Sequence, residues 1–147
     1  MAEFQRHANS TWKGDLRSGA GVASTESGAL QNAQITFVSR FENAGDSNPE
    51  ELIAAAHAAC YSMALAHGLS QGGHVPESID TKATVTLQMD DKGIKITKIH
   101  LETEGRVPGI DAAAFQATAE ETKKACPVSA LLLPGLEELT LEARLVG

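Results

Sequence analysis

Residues 48–73 read NPEELIAAAHAACYSMALAHGLSQGG, and this stretch constrains the fold more than any other. Asn48 suits a helix N-cap, Pro49 the first helical position, and Glu51 lies three residues past the cap. Glu50 and Glu51 place two carboxylates where the helix dipole is positive. No proline follows between Leu52 and Leu69, and Gly72-Gly73 supply the stop. From Ala54 to Ala66 nearly every residue is apolar or small, so no face is marked for water. The expectation is a helix about 30 Å long, buried all round, whose alanines let neighbours approach closely. Cys60, one of two cysteines in the chain, sits inside it.

The rest of the chain reads as elements around that helix. Residues 10–15 and 21–27 alternate about the turn Arg17-Ser18-Gly19, which predicts a hairpin. Residues 34–42, QITFVSRFE, read as a third strand carrying Arg40, joined to the helix by a polar linker at 43–47. Residues 79–90 and 94–104 form a second strand pair about Asp91-Lys92-Gly93. The apolar face switches between Ile96 and Ile99, which predicts a bulge near Lys98 or burial on both faces. Asp111 caps a half-exposed helix at 112–125, and Cys126 follows it immediately before Pro127. A short helix at 127–133, the break Pro134-Gly135 and a last strand through Leu139, Leu141, Ala143 and Leu145 complete the order. The reading is one α+β domain over residues 1–147, with antiparallel strands wrapped around a long buried central helix.

A net charge of −7 and a pI near 5.1 argue against nucleic acid and anionic membrane surfaces as partners. No apolar run reads as long enough for a membrane span, and the first residues, MAEFQRHANSTWKGD, show no signal-peptide core. A soluble cytoplasmic protein is expected, in which a disulfide is transient, catalytic or redox-sensing.

Taken singly, the candidate residues have plain readings. A thiol in an alanine-rich helix is a core residue, Glu50 is a helix-start acid, and Arg17 and Arg40 are surface ion-pair residues. Cys126 has a more polar setting, with Lys123, Lys124 and a helix N-terminus at Pro127, all of which lower a thiol pKa. The two cysteines lie 66 residues apart, a spacing equally compatible with unrelated core thiols and with a dithiol couple. His57 is three residues before Cys60 on one helical face, so a zinc site of His57, Cys60 and Cys126 is a minor alternative; no metal-binding motif completes it.

The run NPEELIAAAHAACYSMAL, with Cys-Pro-Val-Ser at 126–129, resembles the OsmC/Ohr family of osmotically inducible and organic hydroperoxide resistance proteins. Fragments such as Trp12-Lys-Gly-Asp, Ser24-Thr-Glu-Ser-Gly, Ser39-Arg-Phe-Glu and Val107-Pro-Gly-Ile-Asp extend the likeness to its OsmC branch across almost the whole chain. The resemblance implies a thiol-dependent, peroxiredoxin-like hydroperoxide reductase acting in oxidative or osmotic stress defence, without metal or other cofactor. It also implies an intertwined homodimer and a small, lipoyl-type dithiol as reductant. Cys60 then matches the peroxidatic cysteine, Cys126 the resolving cysteine, Arg40 the thiolate-stabilising arginine and Glu50 the residue that orients it, with Arg17 in reserve. Glu50 and Cys60 are ten residues apart, about 15 Å along one helix, so Glu50 is expected to serve the Cys60 of a partner subunit. The rival reading is a non-enzymatic stress or binding protein with structural cysteines.

Overall fold

The N-terminal hairpin forms where its turn residues place it. In the computed structural model, which describes residues 1–42 and 45–147, strands β1 (Ala8–Lys13) and β2 (Ala20–Thr25) pair antiparallel. The Ser18 N–H donates to Asp15 Oδ1 at 2.7 Å and closes the turn between them. Strand β3 (Ala33–Ile35) pairs with the other edge of β2.

The strand expected over 34–42 ends there, and Arg40 is carried by a helix, α1 (Phe37–Phe41). Thr36 is its N-cap: the Ser39 N–H donates to Thr36 Oγ1 at 3.0 Å, and the Thr36 N–H donates to Ser39 Oγ at 2.8 Å. This reciprocal capping box satisfies two amides that a short, weakly paired strand would leave to solvent, so it overrides the alternation. The first two residues of the expected linker, 43 and 44, lie outside the described residues. All of this belongs to one compact unit, Met1–Leu52.

Helix α2 (Pro49–Gln71) starts as its sequence predicts, with the Glu51 N–H donating to Asn48 Oδ1 at 2.8 Å. From Ile53 onward it belongs to the second unit, Ile53–Gly147. Here the expectation of burial all round is corrected. His57, Tyr61, Leu65 and Leu69, four residues apart in turn, are buried, while Ala55, Ala56, Ala59 and Met63 are exposed in the single chain. By length and composition α2 is also apolar enough to cross a membrane, contrary to the sequence reading. Its buried face carries polar groups tied into the protein: the Tyr61 hydroxyl donates to Ala119 O at 3.0 Å, and Ser62 Oγ to Thr81 Oγ1 at 2.8 Å. It packs as the core helix of this unit.

Strands β4 (Ser78–Asp90) and β5 (Gly93–Arg106) pair antiparallel with a register shift between Thr86 and Leu87. Thr86 opposes Lys98 and Leu87 opposes Ile96, which leaves Thr97 as the extra residue. The expected bulge therefore sits beside Lys98 and explains why Ile99 and Leu101 turn inward. Helix α3 (Ala112–Ala125), capped by Asp111, lays Phe115 on β5 at Gly105, where a Cβ would come within 2.5 Å of the ring. Helix α4 (Pro127–Leu132) and a 3-10 turn (Leu133–Gly135) lead into β6 (Glu138–Leu145). Strand β6 runs parallel to β5, a correction to the all-antiparallel expectation. The α3–α4 segment between them is a helical crossover, which is what a parallel neighbour requires. The class is α+β, with two three-stranded sheets among the described residues.

Candidate functional site

Cys126 occupies the junction of two helices. It is the C-cap of α3, its N–H donating to Thr122 O at 2.9 Å, and the N-cap of α4, its carbonyl accepting from the Ala130 N–H at 2.9 Å. This corner aims the side chain at α2. Cys126 Sγ lies 3.2 Å from Cys60 Sγ, both are free thiols, and Cys126 is fully buried while Cys60 is half-buried. Of the two readings left open by the 66-residue spacing, the structure brings the cysteines together. A disulfide has its sulfurs about 2 Å apart, so bond formation here needs a closure on the order of 1 Å.

Burial pushes the Cys60 thiol pKa up, and the adjacent Cys126 sulfur adds to the rise through its hydrogen bond and its charge. The opposing influence is the Val128 backbone amide, which favours the Cys60 thiolate. Val128 is the second residue of α4. The amide end of that helix thus addresses Cys60 rather than Cys126, to which the sequence assigns it. Cys126 is the cap residue itself, and its side chain makes no capping bond. Lys123, a second expected influence on Cys126, is paired with Glu120 at 3.2 Å.

His57, one turn before Cys60, has its Nε2 2.7 Å from Ser129 Oγ, and both residues are fully buried. Burial lowers the His57 pKa and so favours the neutral ring. Its Nδ1 finds no hydrogen-bond partner among the described residues. The alternative zinc set is not assembled: among the described residues, the group whose donor atoms converge for a metal is His100, Glu102 and Glu142, not His57, Cys60 and Cys126. Sequence reasoning missed Ser129 and the Val128 amide. The available signal was Cys126-Pro127, which marks a helix start and so makes Val128 and Ser129 first-turn residues.

Arg40 and Glu50 meet within the Met1–Leu52 unit. Arg40 Nη2 donates to Glu50 Oε1 at 2.8 Å, and Nε lies 3.2 and 3.3 Å from Oε1 and Oε2. Glu50 is buried and Arg40 keeps about a third of its side chain exposed, so the guanidinium is oriented yet accessible. Ser47 and Asn48, just before Glu50, are tied to Ser39, just before Arg40: Ser39 Oγ donates to Ser47 O at 2.8 Å, and Asn48 Nδ2 to Ser39 O at 3.1 Å. Arg40 stacks over Phe41, with its guanidinium carbon 5.4 Å from the ring centroid. Arg17 reaches α1 as well, 4.9 Å from the Phe37 centroid, but Glu50 is bonded to Arg40.

Residues 42–137 match the family described as OsmC-like protein. The Peroxiredoxin OsmC of Escherichia coli (strain K12) is 49% identical over 134 residues, which cover 91% of this chain and 92% of that one. Among solved structures, OhrB of Bacillus subtilis, an organic hydroperoxide resistance protein, superposes with a TM-score of 0.71 at 23% identity, covering 93% of this chain and 97% of its own. The OsmC-like protein of Mycoplasma pneumoniae does so with a TM-score of 0.75 at 13% identity, covering 99% and 100%. At those identities the two structures speak for the fold alone.

Proposed function

The chain belongs to the OsmC-like protein family, and from that premise we propose that it is a peroxidase that reduces hydroperoxides through Cys60 and Cys126. The observation that supports this most is the 3.2 Å approach of two free thiols 66 residues apart in the sequence. In the first step the Cys60 thiolate attacks the terminal oxygen of R–O–O–H. The O–O bond breaks, Cys60 becomes the sulfenic acid S–OH, and the alkoxide takes a proton and leaves as alcohol, or as water where R is hydrogen. In the second, the Cys126 sulfur displaces hydroxide from that S–OH, and the Cys126 proton leaves with it as water. A small dithiol of the lipoyl type then reduces the disulfide by exchange. Such a cycle suits the cytoplasm, where both thiols start reduced.

The first step needs a thiolate that the surroundings of Cys60 disfavour. A permanent cation against the sulfur reverses that balance, and Arg40, held by Glu50, is the residue we assign to it. Because the two are bonded to each other, they act as one group. Glu50 sits in the first turn of α2 and Cys60 three turns on, about 15 Å along a straight helix. We therefore assign the Arg40–Glu50 pair to the Cys60 of a second copy, giving a homodimer with two composite sites. The exposed Ala56, Ala59 and Met63 of α2 form an apolar face on which two such helices can meet.

The test is one equivalent of cumene hydroperoxide on reduced protein, followed by mass spectrometric mapping of the thiols. A Cys60–Cys126 disulfide that is absent from Cys60→Ser supports the peroxidase. Two unmodified thiols would leave the cysteines as packing residues of a binding protein.

A further inference from the structure

The cycle gives His57 no task, yet it is a fully buried titratable side chain one turn from Cys60, with one nitrogen bonded and the other without a partner among the described residues. Its contact, Ser129, lies 72 residues away and is the third residue of α4. That helix is a single short turn and a half, six residues long. An isolated helix of this length does not hold its own shape or position. Its first three residues and their cap nonetheless present, in order, the resolving thiol at Cys126, the proline at 127, the amide directed at the Cys60 sulfur at 128, and the hydroxyl at 129. Two hydrogen bonds thus run from the start of α4 to one side of α2, Cys126 Sγ to Cys60 Sγ and Ser129 Oγ to His57 Nε2, and the Val128 amide between them favours the Cys60 thiolate.

We infer that the buried His57–Ser129 hydrogen bond is a positioning device for the second chemical step, holding the start of α4 so that Cys126 stays within reach of the Cys60 sulfenic acid. The inference rests on the dithiol cycle proposed above.

When peroxide oxidises Cys60, its sulfur gains an oxygen, and the thiol–thiol and amide–sulfur contacts that bind α4 to α2 are both disturbed. The His57–Ser129 bond touches neither sulfur and survives that change. It is also dry, so its loss leaves a buried hydroxyl or ring nitrogen unpaired rather than returned to water. The ring reaches Ser129 best as the tautomer with the proton on Nε2, which donates to Ser129 Oγ and leaves a bare acceptor at Nδ1. The opposite tautomer buries an unpaired N–H, the worse alternative. A glutamine side chain places an amide N–H near the position of Nε2, whereas leucine fills a similar volume with no donor.

The experiment compares wild type with His57→Leu, His57→Gln, Ser129→Ala and the His57→Leu/Ser129→Ala double variant, each shown folded by circular dichroism. Reduced protein receives one equivalent of cumene hydroperoxide and is quenched at intervals, with dimedone present to trap sulfenic acid. Mass spectrometry then reads both steps in one sample. The expected result is a normal rate of Cys60 oxidation in every variant. Disulfide formation slows by about tenfold in His57→Leu and in Ser129→Ala, with dimedone adduct accumulating on Cys60. His57→Gln recovers most of the rate, and the double variant is no slower than either single one. Disulfide formation at the wild-type rate in His57→Leu overturns the inference. So does an equal slowing of both steps, or additive losses in the double variant, because those mark a general packing role. A wild-type protein that forms no disulfide overturns the underlying cycle instead. If His57→Leu does not fold, Ser129→Ala alone carries the same decision.

Discussion

The thiol pair and the charged pair are built in opposite ways. Cys60 and Cys126 are 66 residues apart and are brought together by a core of Tyr61, Leu65, Ile99, Leu101, Phe115 and Ala119. Arg40 and Glu50 are ten residues apart and meet through a local loop, a capping box and one helix start. The first pair is set among apolar groups that keep the sulfur protonated. The second is half open, with its cation already oriented. The sulfur to which we assign the chemistry thus lies in the Ile53–Gly147 unit, where burial opposes its ionisation, while the cation we assign to it lies in the Met1–Leu52 unit. Chemistry on this plan depends on bringing one pair to the other.

The largest effect expected from breaking this contrast is at the sulfur. Cys60→Ser abolishes peroxide consumption, because a hydroxyl replaces the nucleophile, and a xylenol-orange peroxide assay should read background. Next is the cation. Arg40→Met lowers the rate of Cys60 oxidation by about a hundredfold, and Arg40→Lys recovers only part of it, since an ammonium does not reproduce the fork held by Glu50. The same variant also changes the pH profile. With burial holding the Cys60 pKa high and no guanidinium to offset it, the oxidation rate of Arg40→Met climbs with pH through the thiol range and beyond. Wild type should already be near its plateau at neutral pH. Stopped-flow measurement across a pH series distinguishes the two.

Cys126→Ser leaves the first step near wild type but removes the second, so Cys60 sulfenic acid persists and is trapped by dimedone. A smaller effect concerns stability. His57 is buried with a depressed pKa, so the unfolded chain binds a proton that the folded chain refuses. Stability is therefore lost as pH falls below the ordinary imidazole range. The melting temperature of wild type should drop more steeply there than that of His57→Gln, and differential scanning calorimetry reads the difference.

What was legible in the sequence follows the range of the interactions. The starts of α2 and α3 were plain because Asn48-Pro49 and Asp111 act on amides two or three residues away. The bulge near Lys98 was legible because a break in a period of two is a local signal. Residues 36–41 misled, since the alternation of Thr36, Val38 and Arg40 reads as a strand while Thr36 and Ser39 quietly satisfy each other as a cap. The parallel course of β6 was hidden in the crossover formed by α3 and α4. At the site, the residue types at Cys60, Cys126, Arg40 and Glu50 came from motifs. The Val128 amide and the His57–Ser129 bond did not, because each depends on how α4 lies against a helix more than 50 residues earlier, which no local pattern encodes.

We assign the Arg40–Glu50 pair of one chain to the Cys60 of another. Cys60→Ser and Arg40→Met chains, co-expressed with different affinity tags and purified as a mixed dimer, test it directly. Each variant alone is inactive or nearly so. The mixed dimer keeps one intact composite site of two, so its peroxidase rate should reach about half that of wild type. A mixed dimer no faster than Arg40→Met alone would show that each Cys60 is served within its own chain, and would contradict the account.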